Sequence, residues 1–172
     1  MKKILYILFA FIFCNNVQLN AEEVPYLLTA SAKGDLETVK AIIKSGGDPN
    51  TEDKDNINAL MYASRKNQVA IVKYLISQGA EVNKVENDGW TALMFASKKN
   101  HNETVKILLN NNANPKITDP DGWSAYGLAA TSGHHETIDL LLKGGIDPNS
   151  RNNSGLTVLM LACRSGNVKT IE

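Results

Sequence analysis

Apolar residues along this chain come in short bursts with a fixed rhythm. Residues 58–64 read NALMYAS, 91–97 TALMFAS, 124–130 SAYGLAA and 157–163 TVLMLAC, each 33 residues after the last. A second burst follows each first one. Val39-Ile42-Ile43, Val72-Leu75-Ile76, Thr104-Val105-Ile107-Leu108-Leu109 and Ile138-Leu141-Leu142 carry the i, i+3, i+4 spacing of one helical face. Polar runs rich in glycine and asparagine separate the bursts. A period of this length means that each unit is one supersecondary element, unable to bury its own apolar face alone.

Three columns of the period hold only glycine or asparagine. They are Asn56, Gly89, Gly122, Gly155; then Gly34, Asn67, Asn100, Gly133, Gly166; then Gly46, Gly79, Asn112, Gly145. Glycine and asparagine together make up 31 of 172 residues, so chance is a poor explanation. These types best tolerate a positive φ. The columns therefore predict three left-handed positions per unit. The second ends a short first helix, the third ends the second helix, and the first sits at a hairpin tip. Thr91, Ser124 and Thr157 offer a hydroxyl, and Asn58 an amide, to cap each first helix.

Each unit is thus a hairpin-like turn plus two antiparallel helices, too short to be stable alone. The columns Leu60/Leu93/Leu159, Ala63/Ala96/Ala129/Ala162 and Val72/Val105/Ile138/Ile171 are expected to be buried against neighbouring units. The expected fold is all-α, a solenoid whose contacts run between adjacent repeats.

This pattern resembles the ankyrin repeat over residues 24–172. The period is 33, as in that family. The tetrapeptide that opens the family's first helix, T-P-L-H, stands here as NALM (58–61), TALM (91–94), SAYG (124–127) and TVLM (157–160). Its proline and histidine are absent, so the hydrogen bonds that histidine makes are missing. The family's G-H-x-E turn is matched at Gly133-His134-His135-Glu136 and, as NHNE, at Asn100 to Glu103. The units fall at about 24–55, 56–88, 89–121, 122–154 and a partial 155–172. The last stops about one turn into its second helix, as in a fragment of a longer array or a frayed end.

The first residues belong to a different pattern. Met1-Lys2-Lys3, the apolar run ILYILFAFIF (4–13) and the small residue Ala21 predict a signal peptide over 1–21, cleaved after Ala21. The run is short for a membrane span, which needs about 20 residues. Phe13 is too large to precede a lipidated Cys14, and no stable membrane insertion is expected after cleavage; an uncleaved anchor or a lipid anchor is the alternative. Export from a bacterial-type cell, to the periplasm or beyond, is the expected setting. Cleavage leaves 16 Lys and Arg against 18 Asp and Glu, a net charge of −2. That balance gives no bias toward nucleic acid. It also leaves Cys163 as the single cysteine, expected to be a small buried side chain within LMLAC.

The chemistry-bearing residues are sparse. The chain has no G-x-S-x-G, H-E-x-x-H, C-x-x-C or phosphate loop. His101 and His134 are 33 apart and so share one structural column beside a turn. No metal, cofactor, catalytic residue or small-molecule substrate is expected. What remains is surface. By resemblance, hairpin tips and first helices face a concave groove. Ile57, Trp90, Trp123 and Leu156 follow the tip residues, and Arg65, Lys66, Lys98, Lys99 and Arg164 stand near the first-helix ends. Aromatics and arginine dominate binding energy at protein interfaces, and a cationic patch favours acidic partners. The expectation is a non-enzymatic module that binds another protein, one with an acidic face. The rivals are a binder of polyanions or anionic surfaces through Arg65, Lys66, Lys98 and Lys99, and an accessory subunit that stabilises an exported enzyme.

Overall fold

The computed structural model describes residues 25–164 and residue 166. The expected signal peptide lies outside the described residues, as do Val168 and Ile171. Nine helices are present among the described residues: α1 (Tyr26–Lys33), α2 (Leu36–Lys44), α3 (Ala59–Arg65), α4 (Val69–Ser77), α5 (Ala92–Lys98), α6 (Asn102–Asn110), α7 (Ala125–Thr131), α8 (His135–Lys143) and α9 (Val158–Arg164). They form two rows. The first helices α1, α3, α5, α7 and α9 pack side by side, and the second helices α2, α4, α6 and α8 make the other row. α1, α3, α5 and α7 each also pack on the second helix that follows. None of these helices is long and apolar enough to cross a membrane.

Local chemistry explains the starts and stops. Asn58 Oδ1, Thr91 Oγ1, Ser124 Oγ and Thr157 Oγ1 accept the backbone N–H groups of Met61, Met94, Gly127 and Met160 at 3.0–3.3 Å. Each satisfies a donor that the helix start would otherwise orphan. All thirteen column residues have positive φ, between 56° at Asn67 and 95° at Gly46. Gly47, Gly127 and Gly144, which lie outside the columns, do not share it. The hairpins are narrow. Their pairing reduces to single antiparallel bridges at Glu52–Asn58, Thr118–Ser124 and Arg151–Thr157.

Neighbouring repeats are stitched by side chains as well as by apolar contact. Asn50 donates from Nδ2 to Gly79 O at 3.3 Å and accepts Glu81 N at 2.8 Å. Asn83 repeats this one unit later, with Asn112 O and Asn114 N. Thr104 and Thr137 donate to the side chains of Asn67 and Asn100, which explains asparagine rather than glycine at those two left-handed positions. Gly122 has a further reason to lack a side chain: a Cβ there would lie 2.5 Å from Asn153 N of the next hairpin.

The core lies between the rows. Leu60, Leu93, Val72 and Val105 are fully enclosed, as are Ala63, Ala96, Ala129 and Ala162. Two expectations fail, both in α9. Leu159 is 52% exposed, unlike Leu60 and Leu93 in its column. Cys163 is exposed rather than buried. The cause is shared: no repeat covers α9 among the described residues. The faces that bury Leu60 and Ser64 in α3 are open there.

Candidate functional site

The hairpin tips are rigid because one residue per repeat locks each of them. Asp53 accepts the N–H groups of Asp55 and Ile57. Glu86 does the same for Asp88 and Trp90, Asp119 for Asp121 and Trp123, and Asn152 for Ser154 and Leu156. This lock fixes the backbone from which Ile57, Trp90, Trp123 and Leu156 project. The sequence reading missed it. The signal was there, as an acid or amide three residues before every tip residue.

Ile57, Trp90 and Trp123 are half-buried and pack against the core, and Leu156 is similarly half-buried. They are therefore partly scaffold. Lys66, Lys98, Lys99 and Arg164 are exposed. Arg65 is half-buried, for a visible reason. Its guanidinium sits 5.0 Å above the Tyr62 ring and 5.8 Å from the Phe95 ring centre, within cation–π range. Phe95 in turn lies 5.1 Å from Trp90, tilted by 47°. Tyr62 donates its hydroxyl to Asp53 Oδ2 at 2.8 Å. Desolvation, followed by that hydrogen bond, raises the Tyr62 pKa and keeps it a donor. A continuous chain of contacts thus runs Asp53–Tyr62–Arg65–Phe95–Trp90 across two repeats. Tyr62 and Phe95 were absent from the expected site residues because they sit inside apolar runs that read as core. Trp123 and Leu156 do not join this cluster; they line a separate cavity between the last two hairpins.

The histidine column holds neighbouring repeats together. His101 Nε2 contacts Arg65 O and His134 Nε2 contacts Lys98 O, each at 3.2 Å. Gln68 fills the same place one repeat earlier, donating to Ala32 O at 3.4 Å. The carbonyls bound are those at the first-helix ends. Among the described residues, no group of three His, Cys, Asp or Glu is placed to hold a metal ion.

Burial depresses the His101 pKa, aided by the nearby Lys99 and His134 charges and opposed by the bond to Arg65 O. The unfolded chain then binds a proton at a pH where the folded chain does not. Stability from this group is complete above the unfolded value of about 6.5 and falls as pH drops through the folded value. His101→Gln, which installs the residue type found at Gln68, is expected to flatten this dependence. Urea midpoints at pH 7.5 and 5.5 check it: the wild type loses more stability on acidification than the variant.

Comparison with known proteins bears on the scaffold. No curated protein matches the chain. The family model described as ankyrin repeats (3 copies) matches residues 27–119 and 109–172. That covers nearly the whole stack, with its helix pairs, left-handed turns and narrow hairpins. The family is a non-catalytic scaffold fold, generally for protein interaction, and this chain belongs to it.

Proposed function

We propose that this chain is an exported module that binds an acidic protein surface through the face of its second and third repeats. The observation that carries the reading is the ordered cluster of Tyr62, Arg65, Phe95 and Trp90, bordered by exposed Lys66, Lys98 and Lys99. Arginine and aromatic side chains already fixed by mutual contact lose little entropy on binding. The lysines around them give an acidic partner a reason to dock here and speed the encounter. Trp123, Leu156 and Arg164 extend the same face toward the last repeat. The export assignment rests on the pattern of residues 1–21.

The test begins with crosslinking of the mature protein in its native compartment, to identify what it holds. The combined change Lys66→Glu, Lys98→Glu and Lys99→Glu is then expected to leave the melting curve unchanged. It should weaken the identified partner tenfold or more. All three residues are exposed, so the fold does not depend on them. Undiminished binding by this variant overturns the assignment. Binding to a simple polyanion with a steep salt dependence would instead favour a general anionic-surface binder.

A further inference from the structure

Two columns of the scaffold break on either side of the boundary between repeats 3 and 4. The position of Met61 and Met94, each 1% exposed, is Gly127 in α7. The position of Asn50 and Asn83, whose amides bridge to the next repeat, is Lys116. Lys116 makes no such bridge. Both departures border one cavity of about 310 Å³, open to solvent between the hairpins of repeats 4 and 5. That volume is at the small end of the range of about 300–1,000 Å³ usual for ligand pockets.

The wall is apolar and partly aromatic: Trp123, Ile146, Val158 and Leu161. A Cβ at Gly127 would stand 3.2 Å from the Trp123 ring edge and 3.8 Å from Leu161, so the missing side chain is what lets the indole lean against α7 at the cavity wall. The charged groups of the lining differ in how they are engaged. Asp147 Oδ1 accepts Asn149 N at 2.8 Å, and Arg151 donates to Gly155 O at 2.6 Å. Lys116 is exposed and has no ion-pair partner among the described residues. The lining therefore combines an aromatic wall with two cations, Lys116 and Arg151, against the single carboxylate of Asp147.

We infer that this cavity is a binding site for a small aromatic carboxylate, whose ring lies between Trp123 and the apolar wall of Ile146, Val158 and Leu161 and whose carboxylate meets Lys116. The cavity shares Trp123 and Leu156 with the proposed partner-binding face but not the Arg65–Phe95 cluster that carries that reading, so its failure leaves the protein-binding reading standing.

The probe is 2-naphthoate, followed by ¹H–¹⁵N spectra of the intact protein. Saturable shifts of the Trp123 indole N–H and the Gly127 amide are expected, with 2-naphthol at least fivefold weaker. Lys116→Asn should weaken 2-naphthoate about fivefold and leave 2-naphthol unchanged. Gly127→Met should abolish both while unfolding remains cooperative. If that variant does not fold, Lys116→Asn and the 2-naphthol comparison decide alone. Shifts that do not saturate at millimolar probe, that centre on Trp90 and Phe95, or that ignore Lys116→Asn overturn the inference. So does displacement of the probe by the protein partner, which would make the cavity an anchor point for that partner's side chain.

Discussion

Leu108→Ala is expected to lower the unfolding free energy by about 2–5 kcal/mol, the range for deleting a well-packed leucine from a core. Leu108 is 0% exposed in α6. That helix packs on α5 of its own repeat and between α4 and α8 of its neighbours. Deletion therefore leaves a cavity in the middle of the stack, where the flanking backbone is held on both sides. Ala113 N donates to Leu108 O at 2.9 Å, tying the helix end to the following loop. In an array with nearest-neighbour contacts only, a weakened central repeat loosens both adjoining interfaces. Urea unfolding followed by far-ultraviolet circular dichroism should show the loss and a broader transition. Leu142→Ala, in α8 and 36% exposed, is the control and should cost under about 1 kcal/mol. A loss at Leu108 no larger than the control's would mean that the second-helix row does not carry the stack.

The scaffold was legible because each of its demands falls on a residue type that physics restricts. Positive φ admits few residues, so thirteen glycines and asparagines in register marked thirteen left-handed positions. Helix starts need an accepting side chain, so Asn58, Thr91, Ser124 and Thr157 marked four caps. Burial at α9 was misread for the opposite reason. Leu159 and Cys163 carry the same local signal as their buried column mates, yet burial comes from a neighbouring repeat. The surface was less legible still. Arg65, Lys66, Lys98 and Lys99 could be placed near one another from the period. That Arg65 lies over Tyr62 and Phe95 could not, because side-chain stacking has no sequence period. The cavity beside Gly127 was visible only as a broken column, which acquires a meaning once Met61 and Met94 are seen to be buried.

The buried serines set up the second large effect, in the stabilising direction. Ser31, Ser64 and Ser97 occupy one column on the first helices, each 0% exposed, and their hydroxyls have no hydrogen-bond partner. An unsatisfied buried hydroxyl costs about 1–3 kcal/mol, and serine in a helix interior is also poorer than alanine by about 0.5 kcal/mol. The small loss of packing from removing one oxygen offsets part of this. Each Ser→Ala change is therefore expected to add about 1 kcal/mol. The fold already accepts the product, since Ala130 stands in the same column at 0% exposure. Neighbouring first helices are about 8–10 Å apart, far enough for the effects to be nearly additive. The triple variant Ser31→Ala, Ser64→Ala, Ser97→Ala should gain about 3 kcal/mol in urea unfolding. At about 2–4 °C per kcal/mol for a chain of this size, that raises the melting temperature by about 6–12 °C. The reverse change, Ala130→Ser, should cost about 1 kcal/mol. If the triple variant is no more stable than the wild type, the hydroxyls bond to carbonyls one turn earlier in their own helices, and the serine column is neutral rather than strained.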